Sequence, residues 1–216
     1  MVRKNVRWTI SNAATPLRWV HLSKSRIMQI EDDITESVRV LKAGGLILYP
    51  TDTVWGVGCD AQNDMAISRI YSLKNRNRSK NMIILVADES DIIKYTGDKS
   101  VKIYDYMKGI YKPTTVIYEN AINLPDNLLN EDGSVGIRIV KDQFCKLLIR
   151  AFGGAIVSTS ANLSGFPPPG IFDDIDILIK NGVDYIVNHR QEEKVPGVPS
   201  TVVKINKDGS YTLLRG

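Results

Sequence analysis

Seven short apolar runs rich in β-branched residues punctuate the chain: 46–49 (LILY), 81–88 (NMIILVAD), 114–118 (TTVIY), 135–140 (VGIRIV), 155–160 (AIVSTS), 184–188 (DYIVN) and 200–205 (STVVKI). Runs of this length and composition read as buried strands. Helical periods are fewer. Ile34, Val38 and Leu41 recur at helical spacing before Gly44-Gly45, Ala66, Ile67, Ile70 and Leu73 share one helical face, and 142–152 (DQFCKLLIRAF) is a third helix. With too few helices to connect every strand in parallel, the order predicts an α/β fold, a twisted mixed parallel and antiparallel sheet with flanking helices.

At 216 residues and 43% hydrophobic content, the chain can bury a substantial core as one domain. No apolar run reaches the roughly 20 residues that span a bilayer, so no membrane partner is expected. Cys59 and Cys145 stand far apart without metal-ligand or disulfide spacing, which fits a reducing cytoplasm. A net charge of +4 is compatible with an anionic partner such as a nucleotide or RNA. The first acidic residue is Glu31, and the preceding stretch is basic and without apolar period. Residues 1–27 are therefore expected to be a basic leader, disordered or preceding the true start at Met28, with one domain over 28–216.

Four polar clusters lie at the ends of apolar elements. In 50–58 (PTDTVWGVG), Thr51 and Thr53 flank Asp52, and an extended backbone would turn both hydroxyls to one side. Gly56 and Gly58 would let that loop approach a ligand, although a Thr/Asp turn closing the strand explains the same residues. In 73–81 (LKNRNRSKN), Lys74, Arg76, Arg78 and Lys80 alternate. Cations complement a helix C-terminus, but an extended chain beyond it would gather all four charges into an anion site suited to a triphosphate. Ser158, Ser160 and Asn162 alternate at the end of the AIVSTS strand, where they could face a ligand or form a strand-to-loop turn. Lastly, the proline-stiffened 196–205 (PGVPSTVVKI) delivers Ser200 and Thr201 into a last strand. Neither a Walker loop nor a GxGxxG is present.

Together, PTDTVWGVG, the K-x-R of Lys74 and Arg76, VGIR ending at Arg138, TSANLSG and PSTVV occur in an order and spacing that resembles the YrdC/TsaC family of threonylcarbamoyl-adenylate synthases. The resemblance runs from about Ile30 to Gly216 and implies a YrdC-like fold with a basic concave groove. It also implies a reaction: L-threonine, bicarbonate and ATP give threonylcarbamoyl-adenylate and pyrophosphate. The adenylate then serves the downstream threonylcarbamoyl-transferase machinery that makes N6-threonylcarbamoyladenosine in tRNA. By motif position, Thr53, Arg138, Ser158 and Ser200 would bind threonine. Lys74, Arg76, Lys80, Ser134, Ser160, Asn162 and Arg215 would surround ATP, with Pro168 beside the adenine. Lys74, Arg76, Ser160 and Asn162 would carry the chemistry, neutralising phosphates and holding in-line geometry. Mg²⁺ would arrive on the nucleotide, since no carboxylate cage is evident and no protein metal site is expected. His21 and His189 lie outside the motifs.

Some positions depart from the family pattern. Asn77 replaces the proline usual after K-x-R, Leu85 stands where some longer members have histidine, and 110–115 (IYKPTT) keeps only the last proline and the threonine of a longer motif. Ending at LLRG, the chain is expected to be the short, single-domain form. Two rivals remain at this stage. An RNA-binding module would use the same basic groove but is not supported by aromatic stacking motifs. The carbamoyl-adenylate domain of hydrogenase-maturation carbamoyltransferases belongs to a larger, zinc-containing chain.

Overall fold

Helix formation begins upstream of the first apolar period. The computed structural model describes residues 23–77, 82–96, 112–205 and 210–216, and in it α1 (Lys24–Lys42) starts behind Ser23, whose hydroxyl accepts from the Arg26 amide. Such a cap satisfies one of the amides left over in a first helical turn. The boundary expected at Met28 thus falls inside α1, although residues 23–29 are exposed and burial begins at Ile30. The rest of the expected leader, 1–22, lies outside the described residues.

Beyond α1 come β1 (Ile47–Tyr49), β2 (Gly56–Asp60), α2 (Asp64–Leu73), β3 (Ile83–Val86), the one-turn α3 (Ile93–Thr96), β4 (Thr114–Tyr118) and β5 (Val135–Ile139). The chain continues through α4 (Gln143–Phe152), β6 (Ile156–Ser160), α5 (Ile177–Gly182), β7 (Tyr185–Ile186), β8 (Thr201–Ile205) and β9 (Tyr211–Arg215). The described strands form one sheet in the order β7-β1-β2-β6-β3-β5-β4-β8-β9. Three neighbouring pairs are parallel, β1 with β7, β3 with β5 and β4 with β8, and the rest are antiparallel. This is the mixed sheet expected from the sequence.

Two strands escaped the sequence reading. Gly56–Asp60 belongs not to a loop but to β2, which pairs with β1 and β6. Its glycines disguised it, and packing is what they serve. A Cβ at Gly58 would stand 2.7 Å from the Tyr49 ring and from the Val157 carbonyl oxygen. Thr201–Ile205 is likewise not the last strand, because β9 returns antiparallel to it from Tyr211. The solvent-exposed residues of β9 gave no buried-strand signature.

Side-chain alternation divides the core between the two faces of the sheet. Leu48, Val57 and Ile84 point to the side where Ala66, Ile67 and Ile70 of α2 pack, joined by Ile179 of α5. Their neighbours Ile47, Tyr49, Leu85 and Ile156 point to the other, against Ile30 and Leu41 of α1 and Phe144, Leu148 and Ile149 of α4. A sheet covered on both faces leaves its polar chemistry to the strand ends and the connections between them.

Candidate active site

Between β1 and β2 the chain does not extend but bends, and the bend is held by one hydroxyl. Thr51 Oγ1 donates to the Val54 carbonyl at 2.8 Å and accepts the Thr53 amide at 3.1 Å, and it lies 2.9 Å from Thr53 Oγ1. A hydroxyl has one proton. With that of Thr51 given to Val54, Thr53 must donate to Thr51, which leaves the lone pairs of Thr53 Oγ1 to accept a donor from a ligand. The two threonines do share a side, as expected, through this bend rather than through an extended strand.

Arg138 reaches the same place from β5. It is 4% exposed, and its Nη2 lies 3.2 Å from Asp52 Oδ1, whose own side chain is 7% exposed. Asp52 Oδ2 accepts the Lys141 amide at 3.0 Å. Arg138 Nε is buried and finds no hydrogen-bond partner among the described residues. An orphaned guanidinium N–H costs free energy until something accepts from it, so this arginine retains capacity for an oxyanion or a water.

A cavity of about 350 Å³ opens beside these groups. Of the residues expected to bind threonine, all four line it: Thr53, Arg138, Ser158 and Ser200. Arg76, Ser160, Pro168 and Arg215 line it too, from among those expected around ATP. Gly56 gives Ser158 its room, since a Cβ there would come within 3.0 Å of Ser158 Oγ. Thr115 Oγ1 sits 2.9 Å from Ser200 Oγ, and Arg215 Nε donates to the Ser200 carbonyl at 3.0 Å, so β4 and β9 both fix the start of β8.

Three expected residues stand behind the lining. Asn162 accepts from Ser160 Oγ at 2.5 Å and donates to the Phe166 carbonyl at 2.7 Å, orienting Ser160. Ser134 Oγ accepts from the amide of Asn130, which lines the cavity. Lys74 is fully buried, and its ammonium donates to the carbonyls of Ser160 and Asn162, while its own carbonyl accepts the Ser164 amide at 2.9 Å. Burial, together with the nearby Arg76 charge, pushes the Lys74 ammonium down to about 7. The extended Lys74-to-Arg76 stretch expected from alternation is not formed. Lys74 caps α2 and Asn75 turns left-handed at φ 47°, so the backbone bends between the two cations. Arg78 and Lys80 lie outside the described residues.

Several lining residues were missed from sequence. Asn130 sits in a polar turn with no periodic signal, and Trp55 and Met82 read simply as apolar. A more open hollow of about 440 Å³ beside Asp64, Met65 and Arg69 gathers none of the motif residues. Burial pushes the thiols of both cysteines up, so neither supplies a thiolate. Among the described residues no cluster of His, Cys, Asp and Glu could hold a metal ion, and no helix is long and apolar enough to cross a membrane. The arrangement suits an amphoteric small molecule at the Arg138 end and an anion at the Arg76 end.

Comparison with known proteins identifies the family. The Sua5/YciO/YrdC family, described as telomere recombination, matches residues 39–216. A threonylcarbamoyl-AMP synthase of Idiomarina loihiensis is 31% identical over 147 residues, covering 67% of this chain and 79% of that protein. The threonylcarbamoyl-AMP synthase of Methylococcus capsulatus is 35% identical over 133 residues, 61% of this chain and 72% of its own. Sua5 of P. abyssi, solved in complex with L-threonine, superposes with a TM-score of 0.75 at 23% identity over 84% of this chain. The match spans about half of that longer protein, 53%.

Proposed function

This chain belongs to the Sua5/YciO/YrdC family, and from that premise we propose that its cavity makes L-threonylcarbamoyl-adenylate from L-threonine, bicarbonate and ATP. The observation that carries the reading is the set of three hydroxyls, Thr53, Ser158 and Ser200, around one buried arginine with spare hydrogen-bonding capacity. Arg138 takes the threonine carboxylate, for which a guanidinium held by Asp52 is already oriented. Thr53 Oγ1, with its proton committed to Thr51, accepts from the substrate's amine or hydroxyl.

The threonine amine attacks the bicarbonate carbon, a C–N bond forms, and water departs to leave an N-carboxylate. That carboxylate oxygen then displaces pyrophosphate from the α-phosphorus of ATP. Two anions must meet, and the chain lowers the cost with fixed cations and dipoles rather than with a covalent nucleophile. Arg76 faces the phosphates across the cavity mouth, Ser160 is aimed by Asn162, and Arg215 and Pro168 line the nucleotide end. Lys74 holds the backbone that carries Ser160 and Asn162. Asp52 is a single carboxylate paired in charge with Arg138, its Oδ2 on the Lys141 amide. Among the described residues its Oδ1 has no hydrogen bond and no cluster of further ligands stands beside it, so Mg²⁺ in this reading travels with the triphosphate. The product feeds threonylcarbamoyl transfer to tRNA.

Pyrophosphate release from ATP, measured with threonine and bicarbonate present or singly omitted, tests this directly. Release that needs both, with a product of the mass of threonylcarbamoyl-adenylate, is expected. Release indifferent to threonine would overturn the assignment.

A further inference from the structure

We propose that Asp33, on α1, is a positioning residue of this site that acts through Arg190 on the bend carrying Thr51 and Thr53. Asp33 is fully buried, and it lies before residues 39–216, the stretch matched to the family. A carboxylate this deep is held at a cost unless its lone pairs are used. Here they are used by one segment. Asp33 Oδ1 accepts from Tyr185 Oη at 2.7 Å and from the backbone and side-chain amides of Asn188, both at 3.0 Å. Asp33 Oδ2 accepts the His189 amide at 2.8 Å.

The chain leaving β7 is thereby pinned for several residues, and the next residue is Arg190. Its φ of 69° is a left-handed conformation that is strained for a non-glycine residue, so it persists because the neighbouring residues are fixed. From there Arg190 Nη1 donates to the Thr51 carbonyl at 3.1 Å and to Asp142 Oδ2 at 3.3 Å, while Nε pairs with Glu193 at 2.7 Å. Thr51 in turn holds both the amide and the hydroxyl of Thr53. The path runs from a helix on one face of the sheet to the hydroxyl that reads the amino acid, alternating hydrogen bonds with the short backbone steps from His189 to Arg190 and across Thr51. The four bonds tie α1 and the segment that delivers Arg190 to each other, so a purely structural role and the positioning role are separated by the behaviour of Thr53.

The inference rests on the threonine reading of the cavity, and its test has a readout that does not. Asp33→Asn, Arg190→Met and the double variant are compared with wild type for amide exchange at Thr53, KM for threonine, KM for ATP and Tm. Faster Thr53 exchange is expected in each variant, with threonine KM raised about tenfold, ATP KM within twofold, and the double variant no worse than the worse single one. A lower Tm with Thr53 exchange and threonine KM unchanged would reduce Asp33 to a structural residue and overturn the proposal. So would independent, multiplying effects in the double variant. Should Asp33→Asn not fold, Asn188→Ala replaces it in the same cycle. If wild type makes no adenylate from threonine, the functional reading fails, and Thr53 exchange alone decides the positioning role.

Discussion

At one end of the cavity Arg138, Ser158 and Ser200 are 4%, 6% and 3% exposed, while at the other Arg76 is only half-buried and Pro168 and Arg215 are exposed. The buried end is tied to the fold by Asp52, Thr51 and Thr115, so its donors and acceptors are aimed before any ligand arrives. The open end meets its ligand in water, where charge is screened. Preorganisation in a dry pocket gives selectivity, and a wet cationic rim gives attraction with little discrimination. In the proposed reading, the small, hydroxylated amino acid and the large polyanion thus face environments matched to what must be read in each.

The sharpest way to break this contrast is at Arg138. Replacing it with Met leaves Asp52 buried without its cation, and breaking a buried pair costs about 3–5 kcal/mol. We expect Arg138→Met to lose stability by about that amount. In Arg138→Lys, which keeps the charge, threonine KM should rise at least about a hundredfold, because a point charge cannot reproduce the guanidinium fork. Steady-state kinetics and chemical denaturation measure the two effects. A lysine variant with native threonine KM would show that the carboxylate binds elsewhere.

Substrate analogues sharpen the comparison without touching the protein. Valine has the shape of threonine but leaves Thr53, Ser158 or Ser200 unpaired, which can cost several powers of ten in kcat/KM. Serine keeps the hydroxyl and loses a methyl contact worth roughly 1 kcal/mol, so the expected order in adenylate formation is threonine, serine, valine. Valine performing as well as serine would mean that the hydroxyl is not read.

At the wet end the effects should be smaller and dependent on salt. Arg76→Ala is expected to slow adenylate formation about tenfold, or 1.4 kcal/mol, with threonine KM little changed and the defect narrowing as ionic strength rises. Pyrophosphate release across a salt series checks this. A defect that ignored salt would place Arg76 in the dry part of the site.

Behind that end, Lys74 links the site to pH. Its ammonium titrates near 7 when folded and near its ordinary 10.5 when unfolded. Between those values the unfolded chain holds more protons, so stability rises with pH across the window and is lost as pH falls toward 7. Relative to Lys74→Met, wild-type unfolding free energy should climb by roughly 1 kcal/mol per pH unit from 7 to 9. A flat difference would mean that the carbonyls of Ser160 and Asn162 keep Lys74 charged.

The smallest effect is expected farthest from the cavity. A chain starting at Met28 loses the first turn of α1 and its Ser23 cap, all of it exposed, and Ile30 and Asp33 remain. Adenylate formation should be unchanged, and loss of ATP turnover would show that residues 1–27 support the site.

The elements with the clearest periods were legible in the sequence. Apolar runs such as TTVIY and VGIRIV became β4 and β5, and the α2 and α4 faces were visible from spacing, because burial on a sheet or helix imposes a period on side chains. β2 was hidden because Gly56 and Gly58 leave space for Ser158 and Tyr49, a requirement set by neighbours distant in sequence. β9 was hidden because an exposed edge strand does not need a buried apolar pattern. Within the site, motif order named the lining at Thr53, Arg138, Ser158 and Ser200, but not which groups stand behind it.

Residue type and order along the chain determined a mixed α/β sheet and a set of hydroxyls and cations at its strand ends, since hydrophobic periodicity and hydrogen-bonding capacity are local properties. Tertiary structure alone decided that Lys74 spends its ammonium on two carbonyls, that Arg138 Nε finds no acceptor among the described residues, and that Asp33 of α1 holds the segment leading to Arg190. Burial and hydrogen-bond partnership depend on which distant residues arrive at the same place, and no local pattern encodes that.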